Sequence, residues 1–120
     1  MICPLANFEE VFQSESGAVY QCSRKNCYWL DFMGTTTAFS VRDFFQFKKR
    51  VDAIDLEMML SNSARSFDFE IIMPFRTEHI FILNVEDIVR LRELLAGAKF
   101  MIELNSEIRS CLKRSLSLTF

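Results

Sequence analysis

Two stretches of the chain carry apolar residues at the alternating three- and four-residue spacing of a buried helix face. The spaced positions are Phe44, Phe47, Val51, Ile54 and Met58 in the first stretch, and Ile88, Leu91, Leu95, Ala98 and Ile102 in the second. This spacing puts one continuous apolar stripe on a helix. Each stretch follows a good N-cap residue, Ser40 or Asn84, and an acid stands three residues after each cap. The pattern therefore predicts helices that begin near Val41 and Val85.

Short segments of β-branched and aromatic residues predict strands before both helices, at 35–39 and 79–83. Segments 18–22 and 28–33 are separated by a short polar run and predict a hairpin. Apolar residues at every second position over 67–73, with a more polar set between them, predict a further strand. We expect an α+β fold, with an antiparallel sheet of about five strands and helices on one face.

The two strand–helix units also resemble each other. An offset of 44 residues sets 35–66 against 79–110 and superposes both apolar stripes. The alignment predicts an internal repeat, and a unit of this size hardly buries a core alone, so 1–120 is expected to form a single domain. The pattern leaves open whether the first helix continues through Asp52–Asp55, whether Gly97 kinks the second, and whether the last residues form an edge strand.

The composition adds a reason to expect self-association. Half of the residues are apolar and a quarter charged, which argues against disorder. The chain has thirteen Phe beside one Trp and two Tyr, and Phe has no polar group to keep it at a wet surface. Several apolar residues also lie off the two stripes: Phe45, Met59, Val89, Leu94 and Met101. Helices that are apolar on more than one side favour a homo-oligomer.

Charge narrows the range of partners. The net charge is −2 and the isoelectric point about 5.4, which argues against nucleic acid as a partner. Basic clusters at Lys48–Arg50 and at Arg90 and Arg92 either line an anion-binding surface or belong to solvated helix faces. The chain has no basic leader and no run of ~20 apolar residues, so a cytoplasmic protein with no membrane partner is expected.

Cys22 and Cys27 provide the first candidate chemistry, because they stand at opposite ends of the predicted hairpin loop. Facing Cβ atoms in such a pair lie roughly 4.5–5.5 Å apart, close enough to share zinc or to form a disulfide. A structural zinc site needs four ligands, however, and only Cys3, Cys111 and His79 remain to complete one. The alternatives are a zinc site, a redox pair, or ordinary structural cysteines with no cofactor. Elemental analysis of the purified protein separates the first from the others.

A second candidate site combines Trp29, Asp31, Glu70 and His79 as a ligand or partner surface. His79 is the single histidine, and work as a general base would require a carboxylate such as Asp31 or Glu70. Trp29 and Asp31 share one side of their strand, where an exposed Trp would anchor a partner. The alternatives are a spectator histidine and a Trp29 packed under the N-terminal segment, whose apolar residues have helical spacing.

The stretch Tyr20-Gln21-Cys22, followed by Cys27-Tyr28-Trp29-Leu30-Asp31-Phe32-Met33-Gly34 and leading into Phe39-Ser40-Val41 and Phe44–Phe47, resembles members of a small bacterial family of unknown function. The resemblance covers the first half of the chain. It implies a bacterial cytoplasmic protein and carries over no site residue.

These observations favour a non-catalytic interaction or regulatory module that self-associates and binds a protein or small-molecule ligand. The chain has no phosphate-binding glycine loop, G-x-S-x-G, H-E-x-x-H or EF-hand pattern, which argues against an enzyme. A thiol- or zinc-dependent protein centred on Cys22 and Cys27 is the first alternative. A weak nucleic-acid or anion binder is the second.

Overall fold

The computed structural model describes residues 8–22, 26–61, 70–74 and 79–118. Its elements in chain order are β1 (Phe8–Ser14), β2 (Gly17–Cys22), β3 (Cys27–Phe32), β4 (Thr35–Ser40), α1 (Val41–Asp52), α2 (Leu56–Ser61), β5 (Glu70–Ile72), β6 (Phe81–Leu83) and α3 (Val85–Leu118). The predicted α+β class is confirmed.

The six strands form two antiparallel sheets rather than the single sheet that was expected. One sheet has the order β1-β2-β3-β4, and β5 and β6 pair with each other in the second. Ile71 lies opposite Ile82 in the small sheet. The part of the predicted strand at 67–69 lies outside the described residues.

The predicted hairpin between β2 and β3 is confirmed, with Cys22 directly opposite Cys27. The next connection is a two-residue turn in which Met33 and Gly34 both have positive φ, 55° and 76°. A turn with two residues of positive φ has the backbone twist that matches the right-handed twist of the flanking strands. Gly34 adopts its positive φ at no steric cost. Phe32 and Thr35 close the turn as a cross-strand pair.

The N-terminal segment corrects one expectation, because its helical spacing does not produce a helix. Residues Phe8–Ser14 form β1 and pair with β2, and the register shifts between Glu10 and Phe12. This β-bulge makes Val11 and Phe12 both contribute to the core. Two adjacent core residues break the period of two, so the segment imitates a helix pattern in the sequence.

Both predicted helix starts are confirmed, at Val41 and Val85. Ser40 Oγ accepts a hydrogen bond from the Asp43 amide at 3.1 Å. Asn84 Oδ1 accepts one from the Asp87 amide at 2.8 Å, and the Asp87 carboxylate accepts one from the Asn84 amide at 3.2 Å. The second start is therefore a reciprocal capping box.

The open questions about helix length have clear outcomes. The first helix ends at Asp52, and a new helix, α2, begins at Leu56. Asp55 caps its start, because Asp55 Oδ1 accepts a hydrogen bond from the Met58 amide at 3.0 Å. The second helix continues through Gly97 to Leu118, so a final edge strand is wrong for residues 116–118. The end of the first repeat copy, 62–66, lies outside the described residues. The internal repeat and the single domain stay predictions.

Helices α1 and α3 pack on the same face of the four-stranded sheet, α1 over β3 and β4, and α3 over β1 and β2. We call this the helix-covered face; Val19, Leu30 and Thr37 lie on it in register. The rings of Phe39 and Phe81 lie 5.1 and 5.0 Å from the ring of Phe47, which joins the two sheets through α1. Among the off-stripe residues, Leu94 is in the core, Phe45, Met59 and Met101 pack against it, and Val89 is exposed.

No helix in the described ranges is both long enough and apolar enough to pass through a membrane.

Candidate functional site

A cleft of about 630 Å³ lies between the C-terminal half of α3 and the end of the sheet where β2 and β3 meet. Its lining residues are Val11, Gln21, Tyr28, Ile102, Asn105, Ser106, Arg109, Ser110, Leu112 and Lys113. The cleft exists because α3 is much longer than the strands beneath it. A helix of 34 residues measures about 51 Å, whereas a strand of seven residues measures about 23 Å.

The side of α3 that faces the sheet changes from apolar to polar along its length. With 3.6 residues per turn, one side of the helix carries Leu91, Leu95, Ala98, Ile102, Asn105, Arg109 and Lys113 in succession. The members as far as Ala98 are fully buried, Ile102 is half-buried, and those from Asn105 onward are exposed. A polar wall thus replaces the core at Ile102, with Gln21 and Tyr28 of the sheet beneath it.

Tyr28 connects this cleft to the core. Its ring packs against Phe44 and Phe45, with centroids 5.0 and 6.3 Å away. Burial raises the pKa of the Tyr28 hydroxyl, and the positive charge of Arg109 partly opposes this rise. Like other tyrosine hydroxyls it is protonated near neutral pH, and it can donate a hydrogen bond.

The raised pKa predicts a loss of stability in alkali. The folded state holds the Tyr28 proton more tightly than the unfolded chain, which releases it near pH 10. The contribution of Tyr28 to stability is complete below about pH 10 and is lost as the pH rises through the folded-state pKa. Denaturant unfolding between about pH 8 and 11 should show a smaller loss for Tyr28→Phe than for the wild type. Tyr20→Phe, on the other face of the sheet, is the control and should follow the wild type; parallel curves for all three proteins would refute the prediction.

The four residues of the predicted ligand surface do not come together. Trp29 and Asp31 lie on the face of the sheet opposite the helices, and Trp29 is only 8% exposed. His79 lies at the helix-covered face, where its Nδ1 is 3.2 Å from Thr37 Oγ1. Glu70 is half-buried in β5. Trp29 and Asp31 therefore lie on the other face from His79, and Trp29 does not have the exposure of an anchor residue. A role of the four residues in ligand binding stays a prediction.

Cys22 and Cys27 are cross-strand neighbours, as the hairpin predicted. Cys22 is fully buried and Cys27 half-buried. Over residues 8–22, 26–61, 70–74 and 79–118, no group of three or more His, Cys, Asp and Glu side chains is arranged to hold a metal ion. Cys3 lies outside the described residues, and zinc binding by this pair stays a prediction.

Several cations of the basic clusters on the helices make local contacts. Lys48 Nζ lies 2.6 Å from the Asp52 carboxylate, and Arg90 pairs with Glu86 at 2.5 Å. Arg92 donates hydrogen bonds to backbone carbonyls at the end of α1. The cations of the cleft are Arg109 and Lys113 instead, and the sequence reasoning missed both. The detectable signal was the loss of apolar residues from the α3 stripe after Ile102.

The opposite side of the same helix segment is apolar and exposed. The exposed fractions are 62% for Phe100, 39% for Leu104, 48% for Ile108 and 58% for Leu112. These four residues recur every fourth position and form one row along the helix, which we call the α3 ridge. Every side chain from 103 to 113 is exposed, as is Phe100, so none of the residues that the structure describes covers this ridge.

A search of the curated proteins and a search of the solved structures each found no match. A family model matches residues 3–110, well beyond the first half in which the sequence resemblance was noted. The expected membership of a family of unknown function is thus confirmed, and the chain belongs to DUF6686, a family of unknown function.

Proposed function

We propose that this protein is a non-catalytic interaction module that self-associates, with two copies paired through the α3 ridge. The observation that carries the proposal is the row of exposed apolar side chains at Phe100, Leu104, Ile108 and Leu112. This row of side chains is the surface that we propose for the homo-oligomer expected from the composition. The cytoplasm is the proposed location, because a domain with this many large apolar side chains has no need of disulfides.

The end of α3 requires a partner for physical reasons. Helical segments of this length are marginal in water, and most helices gain their stability by packing an apolar face. From Glu103 to Lys113 every side chain of α3 is exposed. A partner that covers the α3 ridge would supply the packing that the sheet does not provide there.

A second copy of the chain fits this surface. In a twofold dimer the same patch from both copies meets itself, and rows of side chains four residues apart interdigitate in the commonest class of helix packing. At the exposed fractions above, the α3 ridge offers roughly 400 Å² of apolar surface per copy, about half of the ~800 Å² per partner of a standard interface. In the proposed dimer, polar residues around the α3 ridge supply the other half of the interface area, as the polar rim does in such interfaces.

The test is the mass of the protein in solution. Sedimentation equilibrium should give a dimer for the wild type at about 100 µM, since a modest interface supports micromolar affinity. Ile108→Lys places a charge in the centre of the α3 ridge and should give the mass of one chain. Glu103→Lys introduces the same side chain on the same helix outside the ridge and should stay dimeric.

Circular dichroism of each variant verifies that the fold is retained. A wild-type mass of one chain at this concentration would refute the proposal. A dimer that persists in folded Ile108→Lys would also refute it, because the interface would then lie elsewhere.

A further inference from the structure

We propose that the cleft beneath the C-terminal half of α3 binds a small organic anion, with a carboxylate or phosphate group held by Arg109 and Lys113. This inference does not rest on self-association, since the cleft and the α3 ridge lie on different sides of the helix and share only Leu112.

The cleft has the size and lining of a small-molecule site. Its volume of about 630 Å³ falls within the roughly 300–1,000 Å³ that such sites occupy. Val11, Ile102 and Leu112 supply apolar contacts, and the remaining lining residues are polar or cationic. A few converging polar groups beside apolar walls are typical of sites that fix the orientation of a ligand.

The charge of the lining selects an anion. Arg109 and Lys113 are both cationic and stand one helical turn apart, and the lining residues within the described ranges include no carboxylate. The ion pairs between described residues join Lys48 to Asp52, Arg90 to Glu86 and Lys99 to Glu103, so none involves Arg109. A guanidinium binds carboxylate or phosphate through two parallel hydrogen bonds, which suits an anion at this position.

Neutral donors surround the two cations. Tyr28 contributes a hydroxyl, which is protonated at neutral pH and can donate a hydrogen bond. Gln21, Asn105, Ser106 and Ser110 contribute amide and hydroxyl groups to the same cleft. These donors match the oxygen-rich surface of a carboxylate or phosphate.

Polar side chains on this side of α3 contribute less to the stability of the fold than apolar side chains would. Apolar side chains at 105 and 109 would continue the stripe of Leu95, Ala98 and Ile102 and extend the core over Tyr28. A polar wall facing a sheet instead leaves an open cleft where packing was available. Ligand binding explains why this side of α3 departs from the pattern of its first half.

The experiment titrates isotopically labelled full-length protein with benzoate, phenyl phosphate and the neutral benzamide, and follows backbone amide shifts by NMR. At least one anion should shift the amides of residues 105–113 and of Gln21 and Tyr28, whereas benzamide should not. The two anions distinguish a carboxylate ligand from a phosphate ligand.

Arg109→Gln should weaken binding of the active anion by about tenfold or more, the loss of one charge-assisted contact. Arg90→Gln removes an exposed arginine from the same helix and should bind like the wild type. Ile108→Lys should also retain binding, so that failure of self-association is distinguishable from failure of the site.

Three results would each overturn the proposal: no cleft shifts with either anion, equal binding of benzamide, or unchanged affinity in Arg109→Gln. The amide spectrum of Arg109→Gln provides the check that the variant is folded.

Discussion

Replacing Gly17 by alanine is expected to lower the free energy of unfolding by about 3 kcal/mol, the upper end of the usual cost of overpacking. A Cβ at this position would lie 2.1 Å from the backbone oxygen of Asp31 and 3.2 Å from Cδ2 of Leu94. Strand β3 is held by β2 on one side and by β4 on the other, so the Asp31 carbonyl cannot move away. The added methyl group must therefore separate β2 from β3 or lift α3 from the sheet.

Gly34→Ala provides the matched control. Gly34 has a φ of 76°, and nothing lies within 4 Å of a Cβ placed there. Its replacement should cost only the backbone strain, about 1 kcal/mol. Urea unfolding of both variants measures the difference, and equal stability of the two would contradict the steric explanation.

Replacing Arg92 by alanine is expected to cost about 2–3 kcal/mol, because one guanidinium holds the C-terminal end of α1. Its nitrogens lie 3.2, 3.1 and 2.5 Å from the carbonyl oxygens of Val51, Asp52 and Ile54. These carbonyls lie at the negative end of the α1 dipole, which a cation also stabilises. The contact joins α1 to α3 and so connects the two halves of the helix layer.

Arg90→Ala is the control for charge removal. Arg90 lies on the same helix, but both it and its partner Glu86 are exposed. An exposed ion pair of this kind contributes about 0.5 kcal/mol or less. Thermal or denaturant unfolding should therefore separate Arg92→Ala clearly from Arg90→Ala, and a similar loss in both would show that the carbonyl contacts contribute nothing.

Local patterns account for the parts of the fold that were predicted correctly. The caps Ser40 and Asn84 determine the helix starts because each side chain satisfies an amide only three residues away. The hairpin of Cys22 and Cys27 follows from the same kind of local reasoning. Such interactions require no knowledge of distant residues.

The incorrect expectations concern residues whose position depends on distant partners. The bulge at Val11 is an adjustment of β1 to the core beneath α3, and its sequence imitates a helix. His79 does not share a face with Trp29, because its contact with Thr37 places it at the helix-covered face and Trp29 lies on the other face. The face of a sheet on which a side chain lies could not be predicted before the strand pairing was known.

The candidate site was only partly accessible to sequence reasoning. Self-association was expected from apolar residues in excess of one stripe per helix, and the exposed row from Phe100 to Leu112 gives that expectation a location. The cleft was missed, since Tyr28 and Arg109 are 81 residues apart in the sequence and come together only when α3 packs on the sheet.

The sequence by itself determined the class of fold, the starts of both long helices and the β2–β3 hairpin, because these depend on spacing, capping and turn residues along the chain. The tertiary structure decided the division into two sheets, the bulge in β1 and the placement of Arg109 over Tyr28. It also decided that α3 extends past the sheet, because the greater length of the helix leaves an overhang only where the helix packs on the strands. Burial and charge proximity arise from contacts between distant residues, and local patterns do not record them.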